Sequence, residues 1–156
     1  MRTSFFLILI INLLSIGNIN SQISTDRPDQ TESPSALEIN QIQIETGIAI
    51  EDYQSNINTL FRFGIINGIE IRLNSNYIIN DKISNLKKSS FTDFEVGAKF
   101  NILNKERITK MGLLTTLSIP TAPEIFSNND YGLLASLLIS HDLQNESQIG
   151  YNVGYN

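Results

Sequence analysis

Asp93-Phe94-Glu95-Val96-Gly97-Ala98-Lys99-Phe100-Asn101-Ile102 changes character at every residue. In an extended chain Phe94, Val96, Ala98, Phe100 and Ile102 share one face, and Asp93, Glu95, Gly97, Lys99 and Asn101 share the other. A helix would scatter both sets around its circumference, so the stretch reads as a strand with one apolar and one polar side.

The same alternation continues on either side. Upstream, Ile42, Ile44, Ile48 and Ile50 oppose Gln43, Glu45, Gly47 and Ala49. After a connection at 52–58, Phe61, Phe63 and Ile65 oppose Arg62 and Gly64, and then Ile69, Ile71, Leu73, Tyr77 and Ile79 oppose Glu70, Arg72, Asn74 and Asn76. Downstream, Met111, Leu113, Leu117 and Ile119 run up to Pro120, which ends the strand. Two further strands carry Tyr131 to Ile139 and Ile149 to Tyr155 at every second residue. The total is about seven strands.

Ile66-Asn67-Gly68 sets a register. A two-residue Asn-Gly loop would place Phe63 opposite Arg72 and mix the faces. A three-residue loop pairs Ile65 with Ile69, puts Gly68 in a left-handed bulge, and sets Phe63 beside Ile71 and Phe61 beside Leu73. That register leaves Arg62 opposite Arg72 and diagonal to Glu70, within reach of an ion pair.

Alternation alone suits a soluble sandwich as well as a barrel. Strands of about ten residues match the length a tilted strand needs to cross a bilayer. Short connections at 66–68, 104–109 and 142–147 alternate with long ones at 80–90 and 120–130, the rhythm of a membrane barrel. Glycine recurs on the polar face, which suits a crowded interior. Tyr77, Phe91, Phe94, Tyr131 and Tyr155 would fall near the outer rim, although soluble cores use rings freely too. The expected fold is all-β: an antiparallel up-and-down transmembrane β-barrel occupying residues 41–156.

Composition removes other classes. The 156 residues carry a net charge of −5 with no basic cluster, so nucleic acid is not an expected partner. Without cysteine there is no disulfide or thiolate metal site, and a lone histidine, His141, leaves no metal, cofactor or catalytic site to propose. Ser140 adjoins His141, but alternation puts the two on opposite faces, and an enzyme is not expected. Residues 1–21 have a basic Arg2, an apolar run from Phe5 to Leu14 and small polar residues to Ser21. This is the pattern of a secretory signal peptide, and the run is too short for a membrane anchor.

Residues 22–40 form an extended segment that includes Thr25-Asp26-Arg27-Pro28-Asp29-Gln30-Thr31-Glu32-Ser33-Pro34. Its prolines exclude a regular helix. This block, together with Gln43-Ile44-Glu45-Thr46-Gly47, Phe61-Arg62-Phe63-Gly64-Ile65, Glu70-Ile71-Arg72, Asp93 to Lys99 and Ser118-Ile119-Pro120-Thr121, resembles the outer-membrane β-barrel family named for a putative MetA-pathway of phenol degradation. The resemblance implies a Gram-negative outer membrane, outer-membrane lipid as surroundings, and a hydrophobic or aromatic small-molecule solute. It also implies further strands, since a single-chain barrel closes with an even number, so the barrel is expected to be incomplete at its C-terminal end here.

The functional expectation is a transporter or channel whose lumen is lined by Glu45, Arg62, Glu70, Arg72, Glu95 and Lys99. The same charges would serve equally to fill a narrow, non-conducting barrel by pairing with one another. A soluble secreted sandwich that binds a ligand is the remaining alternative. For the N-terminal segment, the expectation is that Arg27 reaches the acidic group around Glu45 while Asp26, Asp29 and Glu32 meet Arg62 and Arg72, forming a plug. The alternative is a solvated tether.

Overall fold

The computed structural model describes residues 31–80, 89–103, 108–143 and 147–156. The leader at 1–21 and the residues up to 30 lie outside this set. Strand forms wherever the alternation predicted it: β1 (Ile42–Ile50), β2 (Gln54–Ile66), β3 (Ile69–Asn80), β4 (Ser89–Phe91), β5 (Phe94–Leu103), β6 (Thr109–Ile119), β7 (Gly132–Asp142) and β8 (Gln148–Tyr155). There is no helix among the described residues. All pairings are antiparallel, in the order β1-β2-β3-β5-β6-β7-β8, with the short β4 beside β3. The sheet curls into a half-barrel of seven main strands with β1 and β8 at its edges.

Three details differ from the expectation. The 52–58 connection shrinks to a tight turn closed by Glu51 N–H donating to the Gln54 carbonyl, and β2 begins at Gln54. Asn56 and Asn58 resemble turn residues by composition, yet Asn58 lies on the polar face and donates to Asn74 Oδ1 at 3.0 Å. The 80–90 loop is shortened as well, because Asn80 ends β3 and β4 pairs Phe91 with Tyr77.

The third concerns the 66–68 hairpin. Phe63 pairs with Ile71, Phe61 with Leu73 and Arg62 with Arg72, as the face argument required, but the closing pair is Ile66 with Ile69 instead of Ile65 with Ile69. A shift between Gly64 and Ile66 absorbs the extra residue within β2. Gly68 has φ +80° and Asn67 is not left-handed, so the turn is not the type I′ form that Asn-Gly often adopts.

Burial is inverted relative to a water-soluble sheet. Arg62 is 1% exposed and Glu70 and Lys99 are 0% exposed, whereas Ile42, Ile48 and Val153 are between 64% and 69% exposed. The convex face is therefore apolar and open, and the charges lie on the concave face.

At one rim, Tyr77, Phe91 and Phe94 form a cluster with ring centroids 5.0 and 5.9 Å apart. Tyr131 precedes β7 on that side, but Tyr155 sits opposite Ala135 in the body of β7, away from this cluster.

Candidate functional site

The concave face is occupied by the chain's own N-terminal segment. Residues 31–38 cross it from β8 to β2, and each step of the crossing has a partner. Thr31 lies against Gly150 in β8, and the Asn152 side-chain amide, oriented to match, is 2.8 Å from Glu32 N and 3.3 Å from its carbonyl oxygen. Lys99 Nζ donates to the Ser33 carbonyl at 2.9 Å. Ala36 N–H donates to Asn101 Oδ1 and Leu37 N–H to Glu70 Oε2, both at 2.8 Å. The segment then turns at Asn40, whose φ is +64°, and enters β1 with Asn40 N–H donating to the Gly64 carbonyl.

Two glycines make this crossing possible. A Cβ on Gly64 would lie 1.9 Å from the Glu38 carbonyl oxygen, and one on Gly112 would lie 2.6 Å from the Pro34 carbonyl oxygen. Any side chain there would lift the strap from the sheet. The glycines of the polar face were legible as a sign of crowding, but their partner was not.

The expected lumen residues divide into a buried network and an outlying carboxylate. Arg62 is gripped by Glu70, with Nε to Oε1 at 2.7 Å and Nη2 to Oε2 at 2.9 Å, and its Nη1 donates to Glu45 at 2.9 Å. Arg72 pairs with Glu32 and lies 3.8 Å from Glu70. Lys99 is 3.6 Å from Glu32. Glu32 therefore meets Arg72, as expected, but joins Lys99 instead of Arg62, because Glu45 and Glu70 already hold Arg62. Asp26, Arg27 and Asp29 lie outside the described residues.

Glu95 stands apart on β5, accepting from Asn74 Nδ2 at 2.9 Å. It lines a cavity of about 510 Å³ together with Glu32, Arg72, Leu60, Leu114 and Thr116. The strap's Glu32 contributes to the same wall, so the strap and this cavity are neighbours on the concave face.

A residue whose role was missed is Asp93. Its Oδ1 accepts from Thr121 and Ala122 N–H, and its Oδ2 from Ser127 Oγ and Asn128 N–H, all between 2.8 and 3.0 Å. Removal from water raises its pKa, but the hydrogen bonds from Ala122, Asn128, Ser127 and Thr121 together outweigh that and hold it below the ordinary carboxylate value. It ties down the 121–128 connection. Its sequence signal was only an acidic residue just before a strand.

His141 faces away from the network: Nδ1 is 2.9 Å from Thr109 Oγ1 and Nε2 is 3.1 Å from the Tyr151 hydroxyl. Ser140 is buried on the other face, and its hydroxyl has no partner among the described residues.

Comparison with known proteins agrees with this arrangement at the level of family. No curated protein and no solved structure gave a match. The model of the family described as "Putative MetA-pathway of phenol degradation" matches residues 25–156, so it includes the strap and every strand. The chain belongs to that family.

Proposed function

We propose that the protein is an outer-membrane β-barrel that passes small solutes, with the N-terminal strap as an internal plug. The observation that carries this reading is the inverted burial: isoleucines and valine open on the convex face, and Arg62, Glu70 and Lys99 sealed on the concave one. In water such a convex face would be a large exposed apolar surface, whereas in a bilayer it is the wetted side of a lipid-facing wall. Strand lengths of 10 to 13 residues for β2, β3, β5, β6 and β7 suit a tilted crossing. The concave charges then set the polarity of the path, and the strap narrows it.

A non-conducting barrel is the second reading, favoured by the completeness of the Arg62–Glu45–Glu70 contacts, which fill the interior as a packed core would. Planar-bilayer recording on the full natural protein separates them. Discrete conductance steps, enlarged when the strap is unseated, support transport. A folded, inserted protein with no step in either form supports the structural barrel.

A further inference from the structure

We propose that the cavity beside the strap is a binding station for small organic cations, a protonated amine on a short apolar body, with Glu95 as the group that holds the charge. This rests on the barrel reading only for its place on a solute's path.

The charges around the cavity are unevenly matched. Among the described residues, three ionisable side chains line the cavity: Glu32, Arg72 and Glu95. Glu32 is engaged by Arg72 and Lys99, and Arg72 by Glu32, so these two answer each other. Glu95 differs. Among the described residues its carboxylate receives one hydrogen bond, from the neutral amide of Asn74, and no ion pair. Asn74 is itself committed, since its Oδ1 accepts from Asn58. A carboxylate half removed from water with one neutral donor retains free lone pairs and an unanswered charge. The species that completes it is a cation with N–H donors.

Shape gives the rest of the ligand. Leu60 and Leu114 are 6% and 5% exposed and form an apolar part of the wall, extended by Leu134. Thr116 and Ser118 supply hydroxyls nearby. At about 510 Å³ the space lies within the usual range for a small-molecule site. A strongly hydrated inorganic cation would gain nothing from the leucines, and a carboxylate solute would be repelled by Glu95. An alkylammonium of a few carbons uses both parts of the wall.

The test is titration of the full natural protein, folded in detergent, with n-butylammonium and with butyrate, followed by calorimetry. The control variant is Glu95→Gln, whose amide oxygen can still accept from Asn74, so the Asn58–Asn74 ladder is kept. Saturable binding of n-butylammonium, weakened about tenfold or more in Glu95→Gln in keeping with the loss of a charge-assisted hydrogen bond, with butyrate not bound, is the expected result. No binding, equal binding in Glu95→Gln, or equal binding of butyrate would overturn the assignment. Conductance plays no part in this readout, so a barrel that fails to conduct could still bind the amine, and a conducting barrel could fail to.

Discussion

Arg62 and Glu70 meet at two points, 2.7 and 2.9 Å, with side chains 1% and 0% exposed, on neighbouring strands whose register sets them diagonally. Glu70 spends its Oε2 twice, since the same atom accepts from Leu37 of the strap. The pair therefore joins the wall of the half-barrel to the segment lying across it.

Breaking the pair from one side should be costly. Glu70→Ala leaves the Arg62 guanidinium buried with Glu45 as its remaining described carboxylate and removes the acceptor for Leu37, so a loss of about 3–5 kcal/mol is expected. Replacing both partners with apolar residues of similar volume should cost much less. Urea midpoints of the folded protein, read from heat-modifiable migration on gels, measure the difference.

Glycine positions should separate sharply. Gly64→Ala forces a Cβ into the Glu38 backbone, whereas at Gly47 a Cβ meets nothing within 4 Å. Gly64→Ala should displace the strap, and Gly47→Ala should leave it in place. With no native cysteine, an Ala36→Cys probe reports this cleanly: Ala36 is 6% exposed, so its labelling by a water-soluble maleimide should rise several-fold in the Gly64→Ala background and stay unchanged in the Gly47→Ala one.

Asp93 predicts a pH response. Its folded pKa lies below the ordinary value of 3.8, so the anchoring it gives the 121–128 connection is fully present above that pH and is lost as pH falls through the depressed folded value. Protease nicking within 121–128 should therefore stay constant from neutral pH down to that point and rise only below it. Asp93→Asn turns one acceptor into a donor facing Asn128 or Thr121 and Ala122, at a cost of about 1–3 kcal/mol, and should raise nicking already at neutral pH.

The faces of the strands were legible because a period of two needs only neighbouring residues. Val96 against Glu95 and Phe63 against Arg62 state their sides locally, and agreement between strands then set the Phe63–Ile71 register. What covers the concave face was not legible. The contact of Ala36 with Asn101 spans 65 positions, and nothing local to either residue announces it. The early start of β2 was hidden for another reason: Asn56 and Asn58 carry turn-forming side chains, but a polar interior gives an asparagine a strand position that an apolar core would refuse. Asp93 was read as one of the polar set of its stretch, yet its four partners come from a connection whose path alternation does not describe.

In the proposed barrel the convex face contacts lipid and the concave face does not. Single cysteines at Leu73, Val96 and Leu117 on the convex side, and at Asn74 and Thr116 on the concave side, can carry nitroxide labels in the full natural protein reconstituted in bilayers. Collision rates with dissolved oxygen, which concentrates in lipid, and with a water-soluble nickel chelate would then be compared. High oxygen and low nickel collision at Leu73, Val96 and Leu117, with the reverse balance at Asn74 and Thr116, is the predicted result. Nickel collision as high at Val96 and Leu117 as at Thr116 would contradict the account.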